Sequence, residues 1–147
     1  MLYHAIYLPP GAAPPPRESV HSPELARYVQ DWGRVEDIGY LANEEEPQCS
    51  VGAAWLRLMT KEEPGYGYVD DATPELSIAV LPLHRGRGLG TLLLKYLLDE
   101  ADVRFKAVSL SVSVDNPAVR IYERAGFKVV SKAGMSLTMN RLSTSRC

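Results

Sequence analysis

Residues 75–94 read Glu-Leu-Ser-Ile-Ala-Val-Leu-Pro-Leu-His-Arg-Gly-Arg-Gly-Leu-Gly-Thr-Leu-Leu-Leu, and no other stretch limits the fold as much. Residues 76–81 are a short apolar run of the kind a buried strand needs. Pro82 cannot donate to a sheet ladder, so pairing weakens there. Gly86, Gly88 and Gly90 then alternate with Arg87 and Leu89, directly after Arg85. From Leu89 the spacing turns helical: Leu89, Leu92, Leu93, Tyr96, Leu97 and Leu98 make one apolar stripe. A glycine-rich turn entering a helix leaves the first backbone N–H groups free and aimed at a common spot, with the positive end of the helix dipole behind them. Glycine lets a ligand approach the backbone closely, and Arg85 and Arg87 add full charges. The physical reading is a cradle for a phosphate or pyrophosphate.

Two common phosphate loops do not fit. A P-loop requires Lys and then Ser or Thr after its last glycine, whereas Gly90 is followed by Thr91 and Leu92. A dinucleotide fingerprint requires its third glycine where Thr91 stands and an acidic residue about 20 residues on, a distance Asp115 does not match. Arg85, Gly88 and Gly90, with the strand before them, instead resemble motif A of the GCN5-related N-acetyltransferase (GNAT) superfamily: Arg or Gln, two residues, Gly, one residue, Gly or Ala. Residues 115–127, Asp-Asn-Pro-Ala-Val-Arg-Ile-Tyr-Glu-Arg-Ala-Gly-Phe, resemble its motif B, the Asn…Tyr-Glu-x-x-Gly-Phe pattern. The second motif follows the first at the family's usual distance, with a strand between them. The resemblance covers about residues 37–142. It implies the GNAT fold, an α/β (α+β) chain with a mixed central sheet, splayed parallel strands and flanking helices.

At 147 residues the chain is expected to be one domain, spanning 1–147. Hydrophobic residues make up 46% and charged residues 23%, which suits a soluble globular core. With a net charge of −2 and no basic stripe, nothing points to nucleic acid as a partner. The apolar runs are too short for a membrane span. Residues 1–8 lack the basic start and long apolar segment of a signal peptide. Cys49 and Cys147 are isolated and show no metal spacing. Free thiols in a reducing, cytoplasmic compartment are therefore expected, with no metal.

Taken in order, residues 9–16 carry five prolines and one glycine and form an extended loop. Ser22-Pro23-Glu24 starts a helix that is predicted to run to about Trp32 and stop at Gly33, with Ser22 as its cap and Leu25, Tyr28, Val29 and Trp32 as its apolar face. Residues 37–43 read as a strand with Ile38, Tyr40 and Ala42 on one face, and residues 48–59 as a second strand. Residues 60–74 are a loop rich in Glu, Gly, Tyr and Asp. It is either an acceptor-site wall, whose acidic groups attract amines, or a solvated connection. Residues 107–114 alternate Val108, Leu110, Val112 and Val114 with serines, as a strand does. Residues 116–125 form a helix closed by Gly126. Residues 127–131 and 135–141 are the last strand pair, turning at Ala133-Gly134. The family normally opens with a strand before its first helix. Here residues 1–8 resemble the end of that helix and the first strand is missing from the sequence, so either the true start codon lies upstream or the sheet opens with what is normally its second strand. The exposed sheet edge then suggests a homodimer contact.

What the resemblance implies about chemistry is specific. Acetyl-CoA is the expected acetyl donor. Ile78, Ala79 and Val80 match the strand whose backbone holds the pantetheine arm. Arg85, Gly86, Arg87, Gly88, Leu89, Gly90 and Thr91 match the pyrophosphate loop, acting mainly through N–H groups. Asn116 matches a motif B residue that touches the coenzyme arm. Tyr122 matches the general acid that protonates the leaving thiolate, a core ring with a satisfied hydroxyl being its other reading. The Val80 N–H matches the donor to the thioester oxygen. Glu75, at the start of the central strand, matches the glutamate that serves several members as a base through water, and a partly desolvated carboxylate has the raised pKa that the task needs. An exposed strand-end charge is the other reading of Glu75. His84 is a second base candidate, expected to face solvent from the coenzyme turn.

The leading expectation is an N-acetyltransferase that moves the acetyl group of acetyl-CoA to a primary amine of a small molecule or a peptide by direct attack. A non-catalytic acyl-CoA-binding regulatory module is the alternative, and a dimerisation scaffold is a third.

Overall fold

The computed structural model describes residues 1–6, 13–45 and 49–144. Six strands form one mixed sheet: β1 (Ile38–Glu44), β2 (Cys49–Arg57), β3 (Glu75–Val80), β4 (Ala107–Ser113), β5 (Lys128–Ala133) and β6 (Ser136–Leu142). Their spatial order is β1-β2-β3-β4-β6-β5, and every neighbouring pair is antiparallel except β3 and β4. The helices are α1 (Leu2–Ala5), α2 (Pro23–Ala26), α3 (Leu89–Arg104) and α4 (Ala118–Arg124). Among the described residues no strand precedes α1, and the outer edge of β1 has no partner strand.

The long crossover helix α3 covers one face of the sheet. Its buried residues are Leu93, Leu94, Leu97, Leu98 and Ala101. They meet Ile38, Ala54, Leu56, Leu76, Val108, Leu110 and Met139 in the main core. The predicted stripe is rotated in the structure. Leu92 and Tyr96 are about half exposed, and Tyr96 leans on Tyr40 of β1 with ring centroids 6.0 Å apart. Spacing of 3.6 residues per turn allows either stripe, and the sheet selects the one centred on Leu97. On the opposite face, α1 packs Met1, Leu2 and Ala5 onto Ala53, Trp55 and Ala79.

The segment after Ser22 departs from expectation. The helix ends at Ala26 rather than near Trp32. The cause is Arg57, which is 1% exposed. Its guanidinium takes the carbonyl of Arg27, which a helix running to Trp32 would spend on its own ladder, and that of Gln30 beyond it. The same group pairs with Asp37 at 2.7 Å, and Trp32 lies over it with its ring 5.4 Å away. Ser22 occupies the N-cap position, but its hydroxyl donates to the Ser19 carbonyl and caps nothing. A second buried pair, Arg141 with Asp102, joins β6 to α3 at 2.6 Å. Arg141 also donates to the Ala125 carbonyl at the end of α4.

Candidate active site

The parallel pair β3/β4 opens almost at once. Among the described residues its only registered partners are Glu75 and Ser109, and the Ser109 N–H donates to the Pro74 carbonyl at 3.0 Å. Beyond that point each strand is bonded on one side alone. On β3 the Leu81 N–H bonds the Val51 carbonyl, so Leu81 and Ala79 exchange hydrogen bonds with β2. Ile78 and Val80 alternate with them and turn their backbone groups toward β4. On β4 the same parity turns Ser111 and Ser113 toward β3, because Val114 bonds Met135 across to β6. The gap is therefore lined by backbone groups that no neighbouring strand pairs, although the Ser113 carbonyl accepts the Asn116 N–H at 3.0 Å. Ala79 directs its backbone to Ala53 of β2, and its buried methyl group packs against α1.

The glycine turn closes one end of this gap. Gly86 and Gly88 have φ of +77° and +79°, conformations that glycine adopts without strain, and Gly88 is the N-cap of α3. A Cβ built on either would meet nothing within 4 Å, so both face open space. The Leu92 N–H is bonded to the Gly88 carbonyl. The N–H groups of Leu89, Gly90 and Thr91 precede that first bond and have no intrahelical acceptor. Gly90 sits in the first turn, with a Cβ there 3.9 Å from Val80. Arg85 does not reach over the turn. Its Nε donates to the Val80 carbonyl at 2.8 Å and an Nη to the His4 carbonyl at 3.3 Å, which fixes the turn against β3 and α1. Arg87 is exposed. His84 does not face solvent as expected: Nε2 lies 2.7 Å from Glu44 Oε1, and its side chain is 18% exposed.

Asn116 and Tyr122 come from the other wall. The Asn116 side-chain oxygen accepts the Ala118 N–H at 2.9 Å and so starts α4. Tyr122 lies on α4 with its ring edge-on to Phe127, centroids 5.9 Å apart. Its hydroxyl has no hydrogen-bond partner among the described residues, and burial pushes its pKa up to about 12. A cavity of about 980 Å³ joins all these groups, with Glu75, Ile78, Val80, Gly88, Asn116 and Tyr122 among its lining residues.

Glu75 is 2% exposed, which removes the reading of an exposed strand-end charge. Burial raises its pKa to about 7, although hydrogen bonds from the Tyr28 hydroxyl and the Gly67 N–H act in the opposite direction. The Tyr28 hydroxyl donates to Oε2, and Oε1 lacks a well-formed bond among the described residues. Tyr28 itself accepts the Tyr66 N–H at 2.8 Å. Residues 64–67 form a strap over the carboxylate. A Cβ on Gly65 would stand 2.1 Å from Oε1, and one on Gly67 would stand 2.5 Å from the Leu110 backbone. Neither position admits a side chain without displacing the strap. Tyr28, Gly65 and Gly67 were not singled out from the sequence. The one signal for the strap was Gly-Tyr-Gly at 65–67 within a loop already noted for glycine and tyrosine.

A model of the acetyltransferase (GNAT) family matches residues 7–127, and the chain belongs to that family. No curated protein matches its sequence. Among solved structures, a chain from Bordetella pertussis assigned to the GnaT acetyltransferases shares 25% identity at TM-score 0.64, covering 80% of this chain and 72% of that one. The acetyltransferase yncA of Salmonella typhimurium, solved with its cofactor acetyl-CoA, shares 23% at TM-score 0.61, covering 83% and 70%. Ribosomal-protein-alanine N-acetyltransferase of Brucella melitensis shares 22% at TM-score 0.61, covering 88% and 80%. The six-stranded mixed sheet flanked by helices agrees with the fold of these neighbours. Among the described residues no helix is long and apolar enough to cross a membrane, and no cluster of metal-ligating side chains occurs.

Proposed function

We propose that the protein is an N-acetyltransferase that carries the acetyl group of acetyl-CoA to a primary amine of a small molecule or a peptide. The observation that carries this reading is one continuous cavity that runs from the open Gly86–Gly88 turn, along the β3 edge where the Ile78 and Val80 N–H groups face no partner strand, to Tyr122 and Glu75. The residues present fit the coenzyme. The N–H groups of Leu89, Gly90 and Thr91 and the helix dipole suit a pyrophosphate. The free edges of β3 and β4 suit an amide-bearing arm, which bonds a strand edge as another strand would. When bound, acetyl-CoA supplies an activated acyl thioester.

Each protein group then has a role set by its position. Val80 offers an N–H in the gap for charge that develops on the acyl oxygen. Tyr122 stays protonated at working pH and holds a phenolic proton for the departing sulfur. Glu75, with a pKa near neutrality, accepts the proton that the attacking amine must lose. Asn116 sets the start of α4 and keeps a side-chain amide on the cavity wall. The same reading places the protein in the cytoplasm, with Cys49 as a free, exposed thiol. The unpaired outer edge of β1 supports a homodimer, and a monomer mass by light scattering removes that part.

The test is calorimetric titration of the whole protein with acetyl-CoA, followed by thiol release over a panel of small amines and peptides. Binding together with turnover of at least one amine supports the reading. Binding without turnover on any amine leaves the regulatory acyl-CoA module in its place.

A further inference from the structure

We propose that Tyr28 is the positioning residue of Glu75: one phenol fixes the orientation of the carboxylate and locks the 64–67 strap over it. This rests on the reading of Glu75 as the base, and nothing in the two family motifs contains Tyr28.

The geometry is carried by several independent contacts. Tyr28 is 6% exposed, and its hydroxyl stands between two partners. It donates to Glu75 Oε2 and accepts the Tyr66 N–H at 2.8 Å. A hydroxyl has a single proton to give, so its donation to the carboxylate is fixed once the Tyr66 N–H occupies a lone pair. The backbone of Tyr28 is held in turn, because Trp55 Nε1 donates to its carbonyl at 3.1 Å. Its neighbour Arg27 bonds the Pro64 carbonyl, a second tie between this segment and the strap. Arg57 then takes the carbonyls of Arg27 and Gln30 on either side. The break in the predicted helix thus presents Tyr28 to Glu75.

The elements packed around Glu75 bring it no unpaired charge among the described residues. β2 contributes its register partner Arg57, whose charge is paired with Asp37 at 2.7 Å. β4 contributes Ser109, which is neutral. The strap contributes the Gly65–Gly67 backbone, and the exposed Tyr66 phenol beside it. Tyr28 is the one side chain among the described residues that hydrogen-bonds the carboxylate.

The test compares wild type, Tyr28→Phe and protein carrying 3-fluorotyrosine at position 28. Two readouts are used: kcat/KM against pH with acetyl-CoA and a turned-over amine, and a carbon-13 NMR titration of the Glu75 carboxyl. The Tyr28 bond favours the charged carboxylate, so its loss moves the carboxyl titration and the acid limb of the rate profile upward by about one pH unit. The more acidic fluorophenol, a better donor that leaves packing intact, moves both downward. The KM for acetyl-CoA stays unchanged in all three. Carboxyl titrations that superimpose in wild type and both altered proteins overturn the proposal. A carboxyl titration that moves while the rate profile stays still supports the role of Tyr28 and instead removes Glu75 as the base.

Discussion

Glu75 on β3 and Ser109 on β4 face each other at the apex of the opening between the two strands, the single registered pair of that parallel ladder among the described residues. Both side chains lie on the face away from α3, and among the described residues Glu75 Oε1 and the Ser109 hydroxyl lack a well-formed hydrogen bond there. A buried, unsatisfied polar atom costs stability, on the order of 1–3 kcal/mol. The splay is the same feature seen from the backbone. Once the ladder stops at Glu75, every later donor on that edge of β3 is available to a ligand.

Glu75→Gln separates activity from stability through pH. The folded pKa of Glu75, about 7, lies above its ordinary value of 4.5. The folded state therefore binds a proton that the unfolded state has released, and stability falls as pH rises from about 4.5 through about 7. Glutamine carries no such penalty. Relative to wild type, the variant gains stability between pH 5 and pH 8, by up to about 3 kcal/mol at about 1.4 kcal/mol per pH unit. Its kcat/KM drops by about 10²–10⁴-fold at pH 8. Chemical denaturation at the two pH values checks the first expectation, and a stability difference that does not change with pH would falsify the burial assigned to Glu75.

Gly88→Glu attacks the other end of the cavity. Residue 88 holds φ +79° at the N-cap of α3. An L-residue there costs about 1–2 kcal/mol, and its carboxylate repels a phosphate at the free N–H groups of residues 89–91. Acetyl-CoA affinity is expected to weaken by at least roughly a hundredfold, about 2.8 kcal/mol. Calorimetry against wild type measures it. Because nothing lies within 4 Å of a Cβ at this position, the native fold persists, and circular dichroism checks that.

The parts of this site that were legible in the sequence are those that local chemistry dictates. Pro82 and the Gly86–Gly90 alternation mark the end of β3 and the start of α3 because proline and glycine act on their own backbone. Ile38, Tyr40 and Ala42, like the β4 valines, were readable from their alternation. Tyr28 was not. It sat in a pattern with Leu25 and Trp32 that suits a helix, and the helix is cut by Arg57, about thirty residues away in sequence and next to it in space. Gly65 and Gly67 were hidden for the same reason. Their φ values are ordinary, and what they avoid is contact with Glu75 and Leu110, which only the tertiary structure brings near. Motif resemblance supplied the expected roles of Tyr122 and Asn116, whereas the burial of Glu75 had to come from the strap.

Asp37→Ala tests the framework beneath the acceptor end. Asp37 accepts two hydrogen bonds from Arg57 at 3.1 and 2.7 Å, and its side chain is 3% exposed. Burial alone would raise its pKa, but bonds from Arg57 and from the Gly33 and Arg34 N–H groups outweigh that and hold it below the ordinary carboxylate range. Removing one partner of a buried pair leaves the other charge uncompensated, a loss of about 3–5 kcal/mol. Urea denaturation at pH 7 measures it. The stabilising contribution of Asp37 is present above its unfolded pKa and is lost as pH falls through the lower folded one, so the gap between variant and wild type narrows in acid.

Tyr122→Phe asks whether the phenol is there for chemistry. Its ring packs edge-on to Phe127 and lines the cavity, and both contacts survive the loss of an oxygen. Since the hydroxyl bonds nothing among the described residues, the folded state gives up no hydrogen bond, and a melting temperature within a few degrees of wild type is expected. Coenzyme affinity also stays, because the glycine turn and the β3 edge are untouched. The rate is where the loss falls. Without a proton positioned for the leaving thiolate, kcat drops by about 10²–10⁴-fold. The deficit holds across the working pH range, because a phenol with a pKa near 12 is already fully protonated there. Thermal melting, a coenzyme titration and acetyl transfer to an amine acceptor followed by thiol release check these three. Full kcat in the phenylalanine variant would return Tyr122 to the core and pass the proton to solvent.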